Sequence, residues 1–293
     1  MTTTQKVIKY LALAFAIFLA VSIIGGILGA VGVLGIFFGD EVVTEDLKTY
    51  SVSGEIRHLE LEIYAANLHI KEGSAFSVES NLKNLKVTDK NGYLMVKDTT
   101  KNGHFGSEAF ENAVLTICVP KGTVFDHVDL STGAGKVTMD TLSAKTLDFE
   151  LGAGEVTISS LTATDSADIE GGAGRITISQ GALKNLELEM GVGQLNLTSQ
   201  LTGDCRFDMG VGESNLTVLG KKEDYKLDLS KGIGGISVDG TAVSDYGSSG
   251  SGANKLEING GVGAINIAFQ APEVGATTSR PRADSIRPYI RKM

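Results

Sequence analysis

The chain has no tryptophan, four prolines and only two cysteines among its 293 residues. The two cysteines show no metal-ligand spacing, which argues against a cysteine-based metal site, and we expect no disulfide between them. Cys205 falls at a repeated apolar position and is predicted to be a small core residue, whereas Cys118 is predicted to point outward. With 42% hydrophobic residues, the chain is long enough for one large domain with a hydrophobic core.

Basic residues are scarce in the main part of the chain. Residues 40–271 carry 33 acidic and 19 basic groups, a net charge of −14, whereas residues 272–293 carry five basic and two acidic groups. An acidic body of this kind argues against binding to nucleic acid.

Charged residues are absent between Tyr10 and Gly39, a run of 30 residues. About 20 apolar residues are enough to span a bilayer, so the pattern predicts a transmembrane helix at 10–39. Lys6 and Lys9 precede it and acidic residues follow it, which predicts a cytoplasmic segment 1–9 and an extracytoplasmic remainder that begins with a linker at 40–50. The alternative is a cleaved signal peptide, whose apolar region typically has about 7–15 residues.

Glycine is abundant, with 37 residues, and much of it falls in a repeated Gly-x-Gly triplet. The first glycines of the seven triplets are Gly133, Gly152, Gly172, Gly191, Gly210, Gly232 and Gly261, at intervals of 19, 20, 19, 19, 22 and 29 residues. A phosphate-binding loop occurs once, whereas a repeat of this period indicates an architecture. Nucleotide motifs also fail in detail, because Leu130 and Thr157 stand where their glycines would be required.

Apolar residues alternate on both sides of each triplet, which predicts two half-buried strands per unit. The predicted inward columns before the triplet are Leu130, Phe149, Ile169, Leu188, Phe207, Leu229 and Ile258, together with Val128, Leu147, Ala167, Leu186, Cys205, Leu227 and Leu256. A unit of about 19 residues cannot bury its apolar side alone, so the units are predicted to stack as an all-β solenoid. We expect a positive φ at one glycine of each triplet and the middle residue to point into the narrow edge of the coil.

The solenoid is assigned to residues 131–271. Residues 51–130 lack the triplet but are rich in strand patterns, and they are predicted to form a cap and irregular first coils with a hairpin at Asn91-Gly92. The Gly/Ser-rich stretch 245–254 is predicted to be a loop inserted into one coil, and residues 272–293 a flexible basic tail.

The outward positions before the triplet are mostly acidic. One column reads Asp129, Asp148, Asp168, Glu187, Arg206, Asp228 and Glu257, and the next reads Ser131, Glu150, Glu170, Glu189, Asp208, Ser230 and Asn259. Stacked carboxylates repel one another, so bound divalent cations, a basic partner or simple solvation must offset the repulsion. After the triplet, Lys136, Glu155 and Arg175 should form cross-coil ion pairs, and the following Thr and Asn column should form hydrogen bonds along the stack.

Catalytic residues are not evident. The four histidines, His58, His69, His104 and His127, are scattered, and none is placed with a nucleophile. The carboxylates form a flat exposed array in which the raised pKa values of catalytic acids are not expected. We therefore predict no enzyme activity and assign no catalytic, cofactor-binding or metal-binding residue.

The units GAGEVTI and GAGRITI, the passage LTICVPKGTVFDHVDLSTGAG and the closing GGVGAINI resemble a bacterial adhesin-type domain of unknown function, a group that includes LiaG-like envelope proteins of Gram-positive bacteria. The resemblance covers about residues 51–270. It implies a β-solenoid, often with one N-terminal membrane helix, and it carries over no catalytic residues.

The combined expectation is a non-enzymatic, single-pass membrane protein with an extracytoplasmic β-solenoid, acting as a binding, adhesion or scaffold module of the bacterial cell envelope. Its partner would be a cell-wall polymer or an envelope protein, with no nucleotide and no nucleic acid. The alternative is a regulatory component of an envelope-stress signalling system that acts through its membrane helix. An enzyme acting on polysaccharide is a more distant alternative.

Overall fold

The computed structural model describes residues 44–100, 112–244 and 246–271. Its strands are β1 (Thr44–Ser51), β2 (His58–Ala65), β3 (Asn67–Gly73), β4 (Ser77–Leu82), β5 (Leu85–Lys90), β6 (Tyr93–Asp98), β7 (Val114–Pro120), β8 (Phe125–Ile178), β9 (Gly181–Lys184), β10 (Leu186–Thr202), β11 (Asp204–Leu219), β12 (Tyr225–Ser230), β13 (Ile233–Val238), β14 (Thr241–Ala242), β15 (Gly247–Ser249) and β16 (Asn254–Gln270). A single 3-10 turn covers Lys222–Asp224. The all-β class predicted from the alternation is confirmed.

Successive coils stack as parallel strands with the triplets in register. Gly193 of β10 lies beside Gly174 of β8 and, on its other side, beside Gly212 of β11. β8 is one extended stretch of 54 residues that winds through several coils. Each coil therefore forms one level of a solenoid, as the glycine period predicts.

The last two coils do not stack in chain order. Gly212 of β11 pairs with Gly263 of β16, and Gly263 pairs on its other side with Gly234 of β13. The final coil of the chain is therefore inserted between β11 and the coil made by β12 and β13. The coils from Gly133 to Gly210 follow the order of the chain, and the last two triplets do not.

A second departure from the order of the chain occurs at the other end of the stack. β2 and β3 form a coil without the Gly-x-Gly triplet, which lies directly against β8, with Leu61 beside Leu130 and Ile70 beside Met139. β6 and β7 pair with the outer side of this coil, although they follow it in the chain. Residues 51–130 thus supply two further levels of the stack as well as the cap.

Antiparallel strands cover both ends. β5 pairs with β6, β4 with β7, and β1 with β4, while β14 and β15 pair with β13 and β12 at the far end. Such strands reduce the open sheet edge that a parallel stack would otherwise leave. The predicted linker at 40–50 overlaps β1, and the predicted 245–254 loop contains β15. The predicted hairpin is confirmed, with Asn91 at φ 54° and Gly92 at φ 80°.

The inward columns form one continuous core. Leu130, Phe149 and Phe207 are fully buried, and all other residues of the two predicted inward columns are at most 4% exposed. Cys205 is buried and Cys118 is half-buried, and both are free thiols, as predicted.

Within the described ranges no helix has the length and apolar character needed to cross a membrane. The predicted transmembrane helix 10–39 and the predicted tail 272–293 lie outside the described residues.

Candidate binding surface

The middle residues of the triplets form an apolar column along one edge of the solenoid, and all of them are exposed except the half-buried Ala134 and Val262. In stacking order this apolar ridge consists of Ala134, Ala153, Ala173, Val192, Val211, Val262 and Ile233. Val192, Val211 and Ile233 are 36%, 39% and 42% exposed. The expectation that the middle residue points into the coil is therefore wrong.

The middle residue points outward because the positions that face the core shift by one residue at the corner of the coil. Before the triplet the inward residues include Leu130, and after it they include Val137, so the inward positions change from even to odd numbers. One residue must lie outside the bend to produce this change. The second glycine of each triplet provides the turn, with φ between 127° and 155° at Gly135, Gly154, Gly174, Gly193, Gly212, Gly234 and Gly263. The growth of the middle residue from alanine to valine and isoleucine was the signal in the sequence that it does not occupy a tight interior.

Carboxylates line the surface beside the ridge. We define the acidic block as Asp129, Asp148, Glu150, Asp168, Glu170, Glu187 and Glu189. Glu189 is the register partner of Glu170, and Glu187 is the partner of Asp168. Glu150 accepts a hydrogen bond from the Ser131 hydroxyl at 3.3 Å. Across the described residues, no lysine, arginine or histidine forms an ion pair with the block, and the predicted acidic columns are confirmed as neighbours facing solvent.

Ion pairs bound the block at both ends. Lys97 pairs with Glu62 at one end. At the other, Arg206 lies 2.7 Å from Asp208 and 3.8 Å from Glu257, and Lys255 lies 2.6 Å from Glu257. Uncompensated negative charge is therefore concentrated on the middle levels of the stack.

The pKa values of the carboxyl groups on this surface follow the distribution of charge. Partial burial and then the neighbouring carboxylates Asp148 and Glu187 raise the pKa of Asp168 above its ordinary value. The pKa of Glu170 is raised by desolvation and then by Asp168 and Glu189. Desolvation opposes a lowered pKa at Asp208, but hydrogen bonds from Arg206 and Asn259 outweigh it.

The acidic block and the triplets together enclose a shallow groove of about 550 Å³. Glu150, Glu170 and Glu189 line one side of it, and the backbone of Gly172 and Gly191 lies at its base. The groove is open to solvent along its length, so it can accept an extended ligand but does not exclude water.

One cluster of three carboxylates has the oxygen ligands that a hard cation prefers. The oxygens of Glu187, Glu189 and Asp208 lie within 4.8 Å of one another, and oxygen donors suit calcium. However, Asp208 already accepts charge-assisted hydrogen bonding from Arg206 at 2.7 Å, which competes with a cation.

The side of the solenoid after the triplet is self-compensated. Glu155 lies between Lys136 at 3.7 Å and Arg175 at 3.6 Å, which confirms the predicted cross-coil pairs. Asparagine side chains form a ladder of hydrogen bonds, from Asn215 to Asn196 at 3.1 Å and from Asn266 to Asn215 at 3.0 Å. These groups stabilise the stack and leave few polar atoms for a ligand.

Two histidines that are far apart in the sequence are neighbours in the stack. His58 and His127 are register partners of β2 and β8. The His58 ring stacks on Tyr93 with centroids 4.2 Å apart, and Nδ1 of His127 lies 2.8 Å from the Thr146 hydroxyl. This pair lies outside the groove and near the opposite end of the stack from Val211 and Ile233.

The model of the Toastrack family, DUF4097, matches residues 56–268, which confirms the resemblance seen in the repeats. No curated protein matches the chain significantly. A candidate adhesin from Bacteroides fragilis is similar at 14% identity, covering 77% of this chain and 98% of its own, with a TM-score of 0.45. A candidate cell adhesion protein from Clostridium sporogenes (16% identity, 77% and 99%, TM-score 0.34) and a candidate lipid-binding protein from Parabacteroides distasonis (10% identity, 76% and 96%, TM-score 0.36) are also similar.

Proposed function

Because the chain belongs to the Toastrack family, DUF4097, we propose that it is a non-enzymatic binding or adhesion module of the bacterial cell envelope. In this proposal the helix at 10–39 anchors the chain in the cell membrane and the solenoid lies outside it. The solenoid presents its exposed columns to a cell-wall polymer or an envelope protein.

The apolar ridge is the observation that carries the binding function. Folding buries the other apolar columns almost completely, yet Val192, Val211 and Ile233 remain more than one third exposed, at 36%, 39% and 42%. Solvent-exposed apolar residues that are contiguous on one side of a soluble domain are typical of interaction sites. The ridge continues over several levels and is held by a rigid stack, so it is preformed for contact with a long partner.

Features of the groove favour binding over catalysis. Its carboxylates lie in a shallow groove that is open to solvent, whereas general acid catalysis depends on a site that excludes water and separates the pKa values of two groups. No histidine of the described residues lines the groove, so the groove lacks an imidazole base.

Photo-crosslinking in living cells tests the function. A benzophenone amino acid replaces Val211 in the full-length chain, and a matched version carries it at the exposed Lys184. We expect discrete adducts after irradiation at position 211 and none at 184. Equal labelling at the two positions, or no adduct at 211, would contradict the proposal.

Thiol labelling tests the orientation separately. Ser251 is exposed in the stretch that joins β15 to β16, so Ser251→Cys places a reactive thiol there in a chain with both native cysteines replaced. A membrane-impermeant maleimide should label intact cells. Labelling only after lysis would show that the solenoid is cytoplasmic, and release of a shortened chain into the medium would support a cleaved signal peptide.

A further inference from the structure

We propose that the apolar ridge and the acidic block together form a docking site for an extended polypeptide segment of a partner protein, with basic residues at one end and apolar residues at the other. This inference rests on the proposed binding function and specifies the chemistry of the partner. The segment would lie along the solenoid axis, with its basic end over the acidic block.

The surface changes character along the stack. At the level of Gly172, the ridge residue is Ala173, with Glu170 before it and Arg175 after it. Two levels beyond Val192, the ridge residue is Val262, and its flanking residues are the uncharged Asn259 and Ala264. The last level presents Ile233 between Ser230 and Gly235. One end of the surface therefore carries carboxylates beside a small ridge residue, and the other has large ridge residues without carboxylates beside them.

Charge complementarity decides between possible occupants. None of the seven carboxylates of the acidic block forms an ion pair with a lysine, arginine or histidine of the described residues, so a second copy of the chain or an anionic lipid surface would be repelled. A basic segment would relieve the repulsion among Asp168, Glu170 and Glu189, which lie on adjacent levels. The block is thus matched to lysine or arginine, whose flexible side chains can reach successive levels.

The orientation of the partner follows from Lys231. This residue lies at the apolar end of the surface, where its ammonium group is 4.5 Å from the centre of the Tyr246 ring. Its charge disfavours basic residues at this end and leaves the apolar side chains of Val262 and Ile233 for the partner's apolar residues.

The dimensions fit a short extended segment. The coils from Gly152 to Gly232 form six levels of the stack. The five intervals between them are about 4.8 Å each, which gives about 24 Å. An extended chain covers that length with about seven residues, at about 3.3 Å each. A segment of this size spans the levels that hold six of the seven carboxylates of the acidic block and all the larger ridge residues.

Fluorescence anisotropy with defined peptides tests the site. The full-length chain in a neutral detergent is titrated into a labelled peptide of four lysines followed by four valines, with empty micelles as the blank. A second peptide has four lysines followed by four serines. We expect saturable binding of the first peptide and at least fivefold weaker binding of the second.

Three variants assign the binding to this surface. Glu170→Gln with Glu189→Gln should weaken binding at least tenfold, and Val211→Ser with Ile233→Ser at least fivefold. The matched control, Asp165→Asn with Glu223→Gln, makes the same change in net charge at exposed positions elsewhere and should stay within twofold. Equal melting temperatures show that each variant is folded.

Several results would overturn the proposal. If the control loses as much affinity as the Glu170 and Glu189 variant, attraction by net charge alone explains the binding. If the Val211 and Ile233 variant binds normally, the ridge takes no part. If no peptide binds while position 211 still gives adducts in cells, the binding function stands and the inferred partner chemistry is wrong; loss of both results contradicts the function as well.

Discussion

Two glycines are needed in each triplet for different physical reasons. At the first, an added Cβ would lie 2.0 Å from the Gly191 carbonyl oxygen in the case of Gly210. At the second, the Cβ of an alanine at Gly212 would lie 1.7 Å from the Gly193 oxygen, and φ is 146°. Close approach of successive levels and positive φ thus act together at the second position.

Gly212→Ala should therefore be strongly destabilising. Backbone atoms of the neighbouring level cannot move without disturbing the stack, and a non-glycine residue at positive φ adds strain, so we expect a loss of at least about 3 kcal/mol. Urea denaturation measures the change. Gly235→Ala is the matched control, because no atom lies within 4 Å of its added Cβ. Comparable losses for the two variants would show that the corners are not tightly stacked.

Ser214 is a polar residue in an inward column. It is 5% exposed, and its hydroxyl contacts the Met209 sulfur at 3.0 Å, a weak acceptor. Its register partners are Leu195 and Ile265. Ser214→Val should raise the free energy of unfolding by about 1 kcal/mol, since it replaces a poorly paired buried hydroxyl with apolar contacts.

The control for Ser214 is a buried serine with a good partner. Ser199 is fully buried, and its hydroxyl donates to the Gln200 carbonyl oxygen at 3.0 Å. Ser199→Ala should lower the free energy of unfolding. A loss of stability from Ser214→Val would mean that the site has no room for the larger side chain.

The strands show what the sequence could and could not predict. The alternation of apolar residues identified the buried faces of the strand segments before and after each triplet, because burial on one face imposes a period of two. The alternation did not locate the ridge. The core-facing positions change from even to odd numbers, or the reverse, within the triplet, and two of the three triplet residues are glycines without a side chain. The sequence also predicted the acidic columns, since outward positions follow from inward ones, but not their limits, which depend on Arg206 and Lys97 at neighbouring levels.

The carboxylates of the acidic columns repel one another. Removing the charge of one of them should therefore stabilise the fold by an amount that depends on pH. Burial and neighbouring carboxylates raise the pKa of Asp168 in the folded state, so the folded chain binds this proton more tightly than the unfolded chain. The unfavourable contribution is therefore full at neutral pH and disappears as the pH falls through the raised pKa. Asp168→Asn should raise the melting temperature at pH 7, and the gain should shrink as the pH falls and disappear below the ordinary pKa of an aspartate.

Glu257 provides the opposite case in the same column. Hydrogen bonding from Lys255 lowers its pKa, so its charged form stabilises the fold at neutral pH and this contribution is lost as the pH falls through the lowered pKa. Glu257→Gln should reduce the melting temperature at pH 7. Equal signs for the two variants at pH 7 would contradict the division into an uncompensated block and a compensated end.

At the scale of the whole molecule, the period predicted a stack but not its order. The levels from Gly133 onward carry similar triplets and similar inward residues, so the local chemistry of Gly212 fits Gly234 and Gly263 equally well. The exchange is possible because residues 239–253 allow the chain to return past the last level, and the unequal intervals of 22 and 29 residues are its only trace in the sequence. β16 consequently joins the coil of β12 and β13 to the rest of the sheet.

Disulfide trapping distinguishes the observed order from the order of the chain. Asn215 is the register partner of Asn266, which is the partner of Ser237. Adjacent levels are about 4.8 Å apart and suit a disulfide, which needs Cα atoms about 4.4–6.8 Å apart, whereas two levels span about 9.6 Å. In a chain lacking the native cysteines, Asn215→Cys with Asn266→Cys should therefore oxidise readily, and Asn215→Cys with Ser237→Cys should remain reduced. Non-reducing electrophoresis and mass spectrometry report both. Efficient bonding of the second pair with none in the first would mean that the coils stack in chain order and that β16 forms the end of the solenoid.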